Sequence, residues 1–165
     1  MIDVYLVPIG SKYAVNNMNT SLLRTVSRKK VVEHGAALPE SLDGENQINV
    51  WGLAPGPANT RQWEKFEQHD IVIFVPTNSD LIVTEIEGKC RNKSLATDLW
   101  DMGENGEKWE LIFFVKIVGT IGLSKRSFLN EFDYPENDKL QGNRRITDRF
   151  FSRYNTVQDF LNLYR

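Results

Sequence analysis

The sequence predicts an α+β domain around a curved or closed β-sheet, and three observations carry that reading. Five short apolar, β-prone runs recur along the 165 residues. Most are separated by hairpin-type turns, as in an antiparallel sheet. The helical segments between them are short and sit toward the two ends and in two insertions, so they flank a sheet rather than form a bundle. The chain contains no internal repeat and no low-complexity tract.

In order, Val4 to Ile9 is the first strand. From Tyr13 to His34, Leu22, Leu23, Val26, Val31 and Val32 recur at roughly helical spacing, and Thr20 or Ser21 is a candidate cap. Gly35 to Asn46 is small and polar, a loop. Ile48 to Leu53 is the second strand. A short helix is expected from Asn59, as N-cap, to Gln68. Ile71 to Val75 is a buried strand, and Asn78-Ser79-Asp80 turns into an alternating strand, Leu81 to Glu87. Ser94 to Leu99 is a short helix and Gly103 to Lys108 a polar hairpin loop. Trp109 to Val118 is the longest strand. Ser124 caps a helix from Lys125 to Glu131. Asp133 to Arg145 is irregular, and Thr156 caps a last helix from Val157 to Tyr164.

The length predicts one domain, 1–165, with a substantial core. The apolar run around Leu111 to Val115 is far too short to span a membrane. Met1-Ile2-Asp3-Val4 lacks the features of a secretory signal, and a single cysteine, Cys90, fits a reducing compartment. A cytoplasmic protein is expected. Net charge is −2, which argues against a generic polyanion binder. Its distribution is uneven: +3 over residues 1–38, −7 over 39–124 and +2 over 125–165. Arg28, Lys29, Lys30, Arg61, Lys125, Arg126, Arg144 and Arg145 are candidate phosphate contacts. The plainer alternative is that they are solvated helix faces.

Catalytic patterns are sparse. Asp70 precedes Glu87-Gly88-Lys89 by the spacing with which many restriction-type nucleases hold Mg²⁺ and position water. Asp70 also reads as a turn residue, and Gly88 weakens the strand where such a site must be rigid. Cys90 has His34 and His69 as conceivable partners, but nothing in the sequence brings them together. No Gly-rich phosphate loop or zinc-ligand cluster occurs, so no cofactor or metal is expected.

The four tryptophans are more informative. Trp63, with Phe66 three residues on, and Trp109, at the opening of the longest strand, read as core. Trp51 and Trp100 sit where ordered structure gives way to polar loops. Two indole faces converging there would sandwich a flat ring. Core packing is the competing account of each.

The run Val50-Trp51-Gly52 through Asn59 and Trp63 is followed by His69-Asp70-Ile71-Val72-Ile73-Phe74-Val75. Leu99-Trp100-Asp101 and Trp109-Glu110-Leu111-Ile112-Phe113-Phe114-Val115 complete the order. This resembles the EVE and YTH-like domains of the PUA superfamily, particularly the N-terminal domains of McrB-type, modification-dependent restriction systems. The resemblance covers about residues 48–130; residues 1–46 add a strand and helix, and about 156–164 a last helix. His69-Asp70 stands where the family usually has Gly-Asp. The resemblance implies a PUA-like, partly open β-barrel of about five to six strands flanked by short helices, with a pocket for one extruded, modified base. Trp51 resembles the first cage aromatic. Trp100, or else Trp109, would supply the opposing face. Asn59, Asp101 and the backbone at Gly52, Leu53 and Ala54 would meet the base edge.

The expected function is therefore non-catalytic recognition of a methylated or otherwise modified base in double-stranded DNA, within a restriction or defence system. A nucleotide-driven motor and a nuclease would be fused or associated partners. An RNA-binding module for methylated RNA and a Mg²⁺ nuclease on Asp70, Glu87 and Lys89 are the alternatives.

Overall fold

A computed structural model describes residues 1–100 and 106–164. The strands are β1 (Val4–Ile9), β2 (Val26–Ser27), β3 (Gln47–Leu53), β4 (Ile71–Pro76), β5 (Leu81–Arg91), β6 (Leu111–Ile121) and β7 (Arg144–Arg145). The helices are α1 (Lys12–Asn17), α2 (Arg28–Glu33), α3 (Pro57–Lys65), α4 (Lys93–Leu99), α5 (Lys125–Glu131), α6 (Thr147–Arg153) and α7 (Val157–Leu163). Strand order is β2-β3-β6-β5-β4-β1-β7, an open sheet. It is mixed: β1 runs parallel to β4, while β1/β7, β2/β3, β3/β6 and β4/β5 are antiparallel. This is the α+β architecture expected, with two short strands, β2 and β7, added.

The chain divides into two compact units. The first comprises Met1–Gly10, Asp70–Glu85 and Ile117–Arg165. Its core sets Val4 and Leu6 of β1 and Ile71, Ile73 and Val75 of β4 with Phe128 and Phe132, Phe150 of α6 and Phe160 of α7. Phe132 and Phe150 stack with centroids 5.9 Å apart. Asp3 ties the edge of this unit together. Its backbone N–H donates to the Asp70 carboxylate at 2.9 Å, and its own carboxylate accepts from Thr147 and Arg145.

The second unit comprises Ser11–His69 and Ile86–Lys116. Its core joins Val31 of α2, Ile48 and Val50 of β3, Leu95 and Leu99 of α4, Trp100, and Ile112 and Phe114 of β6.

The expected helix-like stretch from Tyr13 to His34 is not continuous. The Ser11 hydroxyl accepts from Ala14 N–H and starts α1, which runs into a π-helical turn, Met18–Leu22. Val26 then pairs with Ile48, and Ser27 caps α2. Small hydroxyl residues supply these local acceptors and so punctuate the segment. Asn59 is not the cap of α3. Gly56 holds that place, Pro57 takes the first turn, and the Asn59 amide donates to Ala54 O at 2.9 Å. The strand from Leu81 continues through Gly88 to Arg91. The α6 helix begins without a side-chain cap, and the Thr147 hydroxyl at its start instead accepts from Val4 N–H and donates to the Asp3 carboxylate. Ser124 and Thr156 cap as expected, Thr156 forming a capping box with Asp159.

Candidate functional site

Three tryptophans meet at the C-terminal end of β3, within the second unit. Trp51 lies in β3, Trp100 at the C-cap of α4, and Trp109 two residues before β6. Their ring centroids are 6.5 Å (Trp51–Trp100), 5.4 Å (Trp51–Trp109) and 6.0 Å (Trp100–Trp109) apart. Interplanar angles are 62°, 61° and 50°. The rings meet edge to face or tilted, the arrangement that aligns their quadrupoles.

This geometry corrects the expected sandwich. Trp51 and Trp100 are only 2% and 4% exposed, and their faces are not parallel. A ring does not fit between them as they stand. Trp51 is buried because β3 pairs with β6 on through Leu53↔Leu111, which places Trp51 opposite Phe113 inside the ladder rather than at its end. Trp109 is the half-buried member of the cluster. It packs against the core of this unit, as its place at the opening of the longest expected strand suggested.

Gly52 makes the close packing feasible. A Cβ there would lie 2.4 Å from Trp109 O and 2.6 and 2.8 Å from two Trp100 ring carbons. Only a residue without a side chain lets the Trp100 ring lie on the β3 backbone. Leu53 is buried beside it, and the loop after it is braced by Asn59 through Ala54 O. Asp101 lies outside the described residues.

Ser21, which the sequence suggested only as a cap, enters this site. Its hydroxyl accepts from Trp100 Nε1–H at 2.9 Å and donates to Val50 O at 2.6 Å. No local pattern signals this, because the partners are 79 and 29 residues away in sequence.

Trp63 is half-buried rather than core, and α3 buries none of its residues. Its indole N–H donates to Ile112 O at 3.0 Å. Lys89 Nζ sits 5.0 Å from the Trp63 ring centroid and donates to Trp63 O and Glu64 O. The ammonium thus caps the C-terminus of α3.

The nuclease alternative finds its residues otherwise engaged. Asp70 accepts from Asp3 N–H and Lys89 caps α3. Glu87 is buried. Among the described residues no group of three or more His, Cys, Asp or Glu side chains is placed to hold a metal ion. His34 bonds Ser94 at 2.5 Å through Nδ1 and Asp98 at 2.7 Å through Nε2. The bond from His34 holds the Asp98 carboxyl below its ordinary range. Burial pushes the Cys90 thiol up to about 11, so little thiolate exists at neutral pH.

The basic candidates separate into two sets. Arg28 donates to Leu42 O and pairs with Asp43; Lys30 pairs with Asp98. Arg126 donates to Pro135, Glu136 and Asp138 carbonyls, Arg144 grips Asp138 with two bonds of 2.6 Å, and Arg145 pairs with Asp3. The Arg144 bonds, then the Leu140 N–H, hold the Asp138 carboxyl well below the usual range. Lys29 and Arg61 are exposed, Lys29 lying 4.0 Å from Glu33, and Lys125 opens α5.

The open mixed sheet and its flanking short helices define an α+β domain. Among solved structures it is similar to the N-terminal domain of Thermococcus gammatolerans McrB bound to m5C DNA. The TM-score is 0.73 at 16% identity, covering 96% of this chain and 99% of that chain. That likeness extends the sequence resemblance from about half the chain to nearly all of it, as a likeness of fold. No family profile matches the chain, and no curated protein matches its sequence. No helix among the described residues is long and apolar enough to cross a membrane.

Proposed function

We propose that this domain is a non-catalytic reader of a modified base in double-stranded DNA, acting as the specificity module of a restriction or defence system. The observation that carries the reading is the three-tryptophan cluster laid on Gly52 at the end of β3. The likeness to a DNA-bound McrB domain supports the same reading. An extruded base stacks on Trp51 once Trp109 or Trp100 gives way. Asn59 holds the Leu53–Ala54 backbone that meets the base edge, and Asp101 is a further edge partner. Lys29, Arg61 and Lys125 contact phosphates, giving the sequence-independent share of affinity. The motor and nuclease that act on the read site belong to associated or fused partners.

The magnitudes are consistent. Extruding a base costs a few kcal/mol. Each base–aromatic stack returns about 1–3 kcal/mol. A buried methyl adds about 0.8 kcal/mol, only a several-fold preference, so stronger discrimination needs a shape or polar group that penalises the unmodified base.

The test is a binding panel at one stated salt concentration. Duplexes carry N6-methyladenine, 5-methylcytosine, 5-hydroxymethylcytosine or no modification, with matched RNA as competitor. Tighter binding to one modified duplex is expected. Equal affinity for all four duplexes would sink the proposal, and preferential capture by methylated RNA would move it to the RNA alternative.

A further inference from the structure

We infer that Ser21 is the positioning residue of the tryptophan cluster, an inference that rests on the base-reading proposal for the role it assigns. Ser21 is fully buried, and its side chain joins two parts of the site through one oxygen. The hydroxyl accepts the Trp100 indole N–H and donates to the carbonyl of Val50, the residue before Trp51. Asn17 O also lies within reach at 3.3 Å, but a hydroxyl has one proton, and the Val50 contact at 2.6 Å is the shorter. A single group therefore sets where the Trp100 ring lies relative to the strand that carries Trp51.

The backbone beneath Ser21 is built for this. Met18–Leu22 is a π-helical turn closed by Leu23 N–H donating to Met18 O at 2.8 Å. Such turns are rare and recur at functional sites, because the wider turn re-aims a side chain that an α-helix would direct elsewhere. The Asn49 amide donates to Leu22 O at 2.7 Å and fixes the turn against β3. Trp51 and Trp109 meet the Trp100 ring edge to face or tilted, contacts less directional than a hydrogen bond. The bond to Ser21 is directional, since the indole has one donor and it must point at that oxygen. Trp100 is thus the fixed wall. Trp109, half-buried and outside the ladder, is the wall that yields when a base enters.

The test compares wild type with Ser21→Ala and Ser21→Cys. Affinity is measured for the preferred duplex of the panel and for its unmodified counterpart, and Trp100 indole N–H exchange is followed by ¹⁵N NMR. Ser21→Ala is expected to reduce the modified-over-unmodified preference by about fivefold, the scale of one lost buried hydrogen bond. Affinity for the unmodified duplex, governed by phosphates, stays unchanged, and indole exchange accelerates. Ser21→Cys, close in size with a weak hydrogen-bonding sulfur, falls between and covers the case in which the alanine variant fails to fold. An unchanged preference in Ser21→Ala, an equal loss for both duplexes, or an unchanged indole exchange rate overturns the inference. Equal binding of both duplexes by the wild type overturns the base-reading proposal instead, and the exchange rates alone then decide whether Ser21 positions Trp100.

Discussion

Gly52→Ala is the smallest change that addresses the cluster directly. The added methyl meets Trp109 O at 2.4 Å and two Trp100 carbons at 2.6 and 2.8 Å. The first neighbour is backbone at the entry to β6 and does not swing aside. Overpacking of this kind costs about 1–3 kcal/mol. Reduced freedom of the unfolded chain returns about 0.4–1 kcal/mol. The net loss is about 1–2 kcal/mol, which for a chain of this size lowers Tm by about 2–8 °C. Gly119→Ala provides the contrast. Its methyl would meet Leu161 Cδ2 at 2.8 Å, the end of a flexible side chain that relaxes at lower cost. The assay is thermal unfolding followed by near-UV circular dichroism, which reads tryptophan packing, with duplex binding measured alongside. Gly52→Ala should lower Tm, alter the tryptophan band and weaken the modified-base preference. An unchanged tryptophan band with Tm within 1 °C of wild type would refute the close-approach argument.

Other expected outcomes follow from the same geometry. Trp51→Ala, at a position only 2% exposed, should cost about 3–5 kcal/mol by chemical denaturation, so Trp51→Phe is the better binding test. A Trp51→Ala loss under 1 kcal/mol would contradict the burial. Asp138 is held low by Arg144 and then Leu140 N–H; for Asp3, burial works upward but is outweighed by Arg145 and Thr147. Carboxyls depressed in the fold stabilise it above their unfolded value near 3.9, and that stability is lost as pH falls through the folded value. Tm should therefore be flat above about pH 5 and fall below about pH 4. Asp138→Asn should flatten part of that fall; the same acid profile in the variant would refute the assignment. With Mg²⁺, purified protein should leave plasmid DNA intact, and cleavage that disappears in Glu87→Ala would overturn the non-catalytic reading.

What the sequence revealed follows the reach of its signals. The β1 run, the strand at Ile71 and the capped helices α5 and α7 were legible, because short continuous apolar runs and Ser or Thr caps are local signals. Trp51-Gly52 was legible as unusual, and the order of aromatics led to the correct fold. The state of the tryptophans was not legible. Whether a strand-end indole is exposed depends on how far the neighbouring strand pairs, and β6 pairs through Leu111. The π-helical turn and Ser21 were hidden for a related reason, since their partners lie on β3 and beyond α4. The partners of the basic residues were also hidden. Composition counts charges, but Arg126 is tied to backbone carbonyls, and Arg144 and Arg145 pair with Asp138 and Asp3.

If the cluster reads a base as proposed, its closed state has a consequence for affinity. Opening it breaks two of the three ring contacts, each worth about 0.5–1.5 kcal/mol beyond area burial. The binding-competent state is then disfavoured by about 1–3 kcal/mol, and apparent affinity falls in proportion to its population. On that proposal an extruded base offsets this opening as well as its own extrusion, using stacks of about 1–3 kcal/mol each. These terms nearly cancel, so the sign of the balance rests on small contributions. A methyl group worth about 0.8 kcal/mol is small against any single term, yet it is comparable with their difference. On the proposed reading, the tight packing over Gly52 stabilises the empty site and lowers affinity for every flipped base alike. The methyl keeps its several-fold preference, and stronger discrimination comes from shape or a polar group that penalises the unmodified base.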